Sequence, residues 1–200
     1  MMPPMDAIEA LTTRASPGGL TDPAPSSEAL DQMLRAAMRA PDHGRLRPWR
    51  FIIVEGAARE GLGDVLADAL RRREPNVAEA VLAKERAKPM RAPLIVVVAA
   101  KLREHRSVPQ VEQIVAAGAA AQNILVAAHA LRFGGFWRTG AAAYDGEVKR
   151  ALGLGDDDAI VGFLYLGTPV SPVPAMPAPD VDSHVTRWTT RISAASAETT

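Results

Sequence analysis

Between positions 114 and 131 the chain reads IVAAGAAAQNILVAAHAL, broken in polarity only by Gln122, Asn123 and His129. A helix of this composition has no polar face to turn to water, so it must be covered nearly all round. Two placements satisfy that: the middle of a core, or a subunit interface. The three polar residues and the abundance of alanine argue against a membrane span. Ser107 and Gln110 stand at capping-box spacing, and a glycine pair follows at 134–135. The helix is therefore expected over residues 108–132, stopping at the glycines.

Shorter elements surround it. Residues 5–13 form an amphipathic segment with Ile8 and Leu11 on one face, and SPGGLTDPAP follows as a loop. Ser26 or Ser27 can cap a helix reaching about Arg39, with Leu30, Met33, Leu34, Ala37 and Met38 at helical spacing, and Pro41 ends it. FIIVE (51–55) is a continuous apolar run, which suggests a strand buried on both faces. Residues 57–73 read as helix, 74–91 as charged, solvent-facing helical pieces, and PLIVVVAA (93–100) as the clearest strand. A short helix near 145–152 leads to a third strand, AIVGFLYLG. Strands interleaved with helices give an α/β or α+β class. One domain is expected over residues 1–192, with 193–200 a disordered tail.

Composition narrows the partners. The 200 residues carry 23 basic and 23 acidic side chains, so nothing favours nucleic acid or an anionic membrane. There is no cysteine, which removes disulfides, thiolate chemistry and cysteine-held metal sites. The four histidines are scattered singly, and no metal is expected. The opening MMPPMDAIEA lacks the basic and apolar regions of a signal peptide, so a cytoplasmic location is expected. No GxGxxG follows a strand, and neither GxxxxGK[ST], HExxH nor GxSxG occurs.

Three cationic spots remain: TRAS (13–16), MRAPDHGRLRPWRF (38–51) and GGFWRTG (134–140). An arginine fork matches a phosphate, and a neighbouring hydroxyl adds a neutral donor. Each spot has a plainer reading: Arg14 as a solvated helix end, Arg138 as a surface cation, Trp137 as core. Together, in a charge-neutral chain, they suggest one anionic ligand gathered from distant segments.

MDAIEALTTRAS, MRAPDHGRLRPWRF, GGFWRTGA and IVGFLYLGTP also stand in the order and spacing of the nitroreductase-like flavoproteins. From about residue 5 to 188 the chain resembles their small single-domain branch. The resemblance implies an α+β fold with a mixed, mostly antiparallel central sheet flanked by helices. It implies a homodimer built on long central helices, with one FMN per subunit at the interface. By the same resemblance, Arg14, Ala15 and Ser16 contact the flavin phosphate and pyrimidine end, and Arg39 and His43 reach the flavin of the partner subunit. Trp137, Arg138 and Thr139 form a later contact segment, with Arg138 favoured for the phosphate. Chemistry would then run on FMN without a protein nucleophile, NADH or NADPH donating and a nitroaromatic, quinone or similar small oxidant accepting in ping-pong fashion. Two departures stand out: Ala15 replaces a second arginine usual in the family, and Arg47 replaces a frequent glutamine. The alternative is a flavin- or small-anion-binding protein of the same fold without turnover.

Overall fold

The computed structural model describes residues 5–173, 177 and 179–188. At its centre lies the uncharged strand β3 (Leu94–Ala100), in which all seven residues are buried. It pairs with β2 (Trp49–Glu55) on one side and β5 (Ala159–Pro169) on the other, Val97 lying opposite Ile52 and Phe163. β5 also carries β4 (Gly134–Arg138) and the two-residue β1 (Leu20–Thr21). Every one of these pairings is antiparallel.

Alternation of side chains divides the core into two layers. Val96, Val98, Leu164 and Leu166 face α2 (Ser27–Ala37) and α5 (Gln110–Ala130). Ile95, Val97, Phe163 and Tyr165 face α3 (Ala58–Arg73) and α6 (Gly146–Ala151). Cover on both faces explains why β3 tolerates no polar residue. The same expectation fails for β2. It ends the sheet, and Phe51, Ile52 and Ile53 are only half-buried.

α5 lies across the sheet on small side chains: Ala116, Ala117, Ala120, Ala121 and Ala128 are buried beneath it, with Ile124 and Leu125. Asn123 donates to the Ala36 carbonyl at 3.0 Å and ties α5 to α2. By length and composition α5 could cross a bilayer, but its sheet side is packed. Its opposite side is open, with Val111 63% and Val115 66% exposed. The short helix α1 (Ala7–Thr13) packs on α5 and leaves Ile8 and Leu11 exposed.

Both ends of α5 differ from expectation. The capping box does not form: the Ser107 N–H donates to His105 Nδ1, and the helix begins after Pro109 without a side-chain cap. At the other end α5 stops before the glycines. The Phe133 N–H reaches the Ala128 carbonyl at 2.8 Å and the Arg132 N–H reaches that of His129 at 2.9 Å, a Schellman ending. Its left-handed position is Arg132, at φ +69°. Glycine adopts this conformation freely, whereas a side chain there costs about 1 kcal/mol.

The glycine pair lies instead in β4, where a Cβ at Gly134 would crowd Leu20 and Pro169 and one at Gly135 would crowd Leu125 and Leu166. Their close approach is therefore to protein. Two residues on, Trp137 Nε1 donates to the Val161 carbonyl at 3.1 Å, and a Cβ on Gly162 would fall inside that indole. Gly162→Ala is expected to cost about 1–3 kcal/mol by overpacking, read as a lower urea midpoint. An unchanged midpoint would mean that the indole shifts freely. The expected tail, residues 193–200, lies outside the described residues.

Candidate functional site

β4 organises the site. It pairs with β5 along one edge, and no strand among the described residues pairs with the other. From Gly134 to Arg138 it spans about 13 Å, and a cavity opens at each end.

The first cavity, about 360 Å³, lies at the C-terminal end of α5. Asp6 caps α1 by accepting from the N–H groups of Ile8 and Glu9, and the helix delivers Arg14 and Ala15 to the cavity wall. His129 and Arg132 complete that wall from α5. Thr13 Oγ1 and His129 Nε2 lie 2.9 Å apart and join the two helix ends. Neither Arg14 nor Arg132 has an ion pair among the described residues. Burial holds His129 below its ordinary pKa of 6.5, reinforced by the Arg132 and Arg14 charges and opposed by Glu9. The imidazole is thus mainly neutral at pH 7, and the cavity's positive charge comes from the two arginines. Ser16 is exposed at the start of the following loop.

The second cavity is a larger cleft of about 580 Å³, between α3 and the end of β4. Trp137, Arg138 and Thr139 line it over a floor that includes Phe163 and Tyr165. The Arg138 guanidinium lies 5.2 Å from the Phe136 ring centre, and Phe136 stacks on Tyr165 at 5.0 Å. Burial pushes the Tyr165 hydroxyl pKa up, so it remains protonated at neutral pH. Arg73 reaches Asp145, the N-cap of α6, at 2.7 Å. Burial works to raise the Asp145 pKa, but hydrogen bonds from Arg73, Val148 and Glu147, with the Arg73 charge, outweigh it and hold the carboxyl low. Lys88 pairs with Glu85. Arg91 and Arg138 line the cleft with no ion pair among the described residues.

The remaining candidates lie elsewhere. Arg39 is exposed just beyond α2. His43 sits in a tight loop in which Asp42 accepts from the Leu46 and Arg47 N–H groups, and its Nδ1 meets Glu112 Oε2 at 2.5 Å. Glu112 is in the first turn of α5 and His129 in its last, a separation of about 25 Å along the helix. Arg14 and His43 of one chain therefore stand at opposite ends of α5. The structure thus brings Arg14 and Ala15 together, and Trp137 with Arg138 and Thr139, and leaves Arg39 and His43 apart from both. His129 and Arg132 were not legible as site residues because they read as part of the apolar helix and its stop. Lys88 and Arg91 fell in a segment read as solvated; their one signal was four cations in KERAKPMR.

Comparison with known proteins gives this arrangement a family. A sequence model of the nitroreductase family matches residues 11–168. The chain is 45% identical over 165 residues to the Escherichia coli (strain K12) protein named "Putative NAD(P)H nitroreductase YdjA", covering 82% of this chain and 89% of that one. A Haemophilus influenzae protein named "Putative NAD(P)H nitroreductase" is 36% identical over the same shares. Among solved structures, a nitroreductase-like protein from Bacillus cereus superposes with a TM-score of 0.78 at 21% identity, covering 95% of this chain and all of that one. A nitroreductase with bound FMN from Desulfitobacterium hafniense does so with a TM-score of 0.66 at 22% identity, covering 94% and 99%. With the antiparallel sheet between helical layers, the family match over most of its length and these relatives, the chain belongs to the nitroreductase family of oxidoreductases.

Proposed function

We propose that the protein is an FMN-dependent oxidoreductase, active as a homodimer in the cytoplasm. It takes electrons from NADH or NADPH and passes them to a nitroaromatic, quinone or similar small oxidant in alternating half-reactions. The observation that carries this reading is the open edge of β4 with a cation-bearing cavity at each end. The cavities lie against opposite layers of the core, and a mononucleotide with a planar ring at one end and a phosphate at the other would join them by lying round that open edge. The relatives named for NAD(P)H and the solved nitroreductase with bound FMN support it. Bound FMN supplies the two-electron carrier between nicotinamide and oxidant.

The chain's own task is to hold and surround that carrier. Arg14, with the Ser16 hydroxyl and the Ala15 backbone, takes the phosphate end. Trp137, Arg138 and Thr139 take the ring end, where the apolar floor limits water and the Arg138 charge favours an electron-rich ring. This reading gives Arg138 the ring end in place of the phosphate role that resemblance favoured, on the ground that it lines the other cavity from Arg14. Arg39 and His43 come from the second subunit. Two α5 helices packed antiparallel about a two-fold axis set the His43 end of one beside the Arg14 end of the other. The open stripe of Val111 and Val115 is the surface on which they would meet.

Titration with FMN tests the placement. Binding is expected to saturate at one flavin per chain and to raise the His129 pKa, because a dianion beside the imidazole favours its charged form. Flavin that binds while His129, followed by NMR, stays unmoved would put the phosphate elsewhere.

A further inference from the structure

We infer that Arg132 is a phosphate-binding residue, kept at a helix-ending position that favours glycine because its side chain is needed opposite Arg14. For the identity of the phosphate this rests on the flavin reading; for the site itself it rests on the geometry of the first cavity.

Three observations converge. First, Arg132 occupies the left-handed position of the Schellman ending at φ +69°, where a side chain is strained and glycine is not. A strained position held by a long cationic residue points to a use for the side chain. Second, Arg132 and Arg14 line the same cavity from just beyond the ends of two different helices, and neither has an ion pair among the described residues. Two like charges on one small cavity repel each other until an anion enters. Third, the site lies at a helix C-terminus, whose partial negative charge repels phosphate. The Leu131, Arg132 and Phe133 N–H groups already donate to the Ala127, His129 and Ala128 carbonyls, so these three backbone donors are not free for an anion. The neighbouring titratable groups, a largely neutral His129 and the carboxylate of Glu9, add no positive charge at pH 7. Without Arg132, Arg14 would be the one cation among the described residues set against both the helix end and Glu9, helped only by neutral donors at Ala15 and Ser16. A second arginine is what makes the cavity an attractive phosphate site.

The plainer role for Arg132, a cation soothing the helix end, predicts a different experimental pattern. Arg132→Gly should be prepared in the full chain and compared with wild type for thermal midpoint and for affinity towards FMN and riboflavin, which lacks the phosphate. The expected result is a midpoint raised by about 2–4 °C as the backbone strain is relieved. FMN should bind roughly tenfold more weakly or worse, while riboflavin is unchanged. Arg132→Lys should keep the wild-type midpoint and recover part of the FMN affinity. Equal weakening of FMN and riboflavin, or no weakening of either, overturns the inference. If wild type binds neither flavin, the flavin reading fails, and the His129 pKa on addition of inorganic phosphate then reads the site. An increase in wild type that shrinks in Arg132→Gly supports the inference, and no increase in wild type overturns it.

Discussion

Arg14→Ala is expected to weaken FMN binding by about 10–100-fold and to yield protein that purifies largely colourless. Arg14 ends α1, is half-buried, lines the smaller of the two cavities and has no carboxylate partner to abandon among the described residues. Its removal therefore leaves no buried charge behind, and the cost falls on the ligand. A charge-assisted hydrogen bond contributes about 1.5–3 kcal/mol, which is the source of the fold-change. The fold should survive, because α1 keeps its Asp6 cap and Thr13 keeps its contact with His129. The His129 pKa should rise in the variant, since one of the charges that depresses it has gone. Flavin content and affinity equal to wild type would remove Arg14 from the phosphate site.

Val115→Glu is expected to split the proposed homodimer. Val115 is 66% exposed in the single chain, so the substitution takes nothing from the chain's own core. At a two-fold interface the change occurs twice, and each new carboxylate must lose water without a partner. The penalty is several kcal/mol, which raises the dissociation constant at least about 100-fold. Sedimentation velocity at micromolar concentration should then show monomer, and flavin content should fall with it, because the proposed contacts of Arg39 and His43 with the neighbouring site are lost. Val170→Glu, on another exposed valine, is the control and should stay dimeric. A Val115→Glu variant that remains dimeric would place the interface elsewhere and reopen the question of how His43 reaches a flavin.

The parts of the fold that could be read in advance are those in which local sequence and tertiary environment agree. β3 is uncharged and β-branched because both its faces are buried, and Ser26, one of the two serines expected to do so, caps α2. GGFWR was assigned no element in advance, because its two glycines weaken the strand signal of the aromatics that follow. It becomes a strand by pairing with β5, and its glycines are needed to let Leu20, Leu125 and Leu166 close over it. FIIVE misled in the other direction: an apolar run on an end strand is only half-covered within one chain. The candidate site was legible as separate segments, TRAS, APDH and GGFWRTG. What joins or separates them was not, because it depends on α5. Arg14 meets His129 and Arg132 only because α1 packs on the end of that helix, and His43 stands a helix length away because Glu112 begins it.

The most direct test of the account is the visible spectrum of the purified protein under anaerobic conditions, before and after NADH or NADPH and then after a nitroaromatic. The account predicts a flavin absorption band that bleaches with at least one donor and returns when the oxidant is added. A flavin band that persists with both donors would make this a flavin-binding protein without reductase turnover. A protein that stays colourless with FMN supplied would contradict the flavin reading itself.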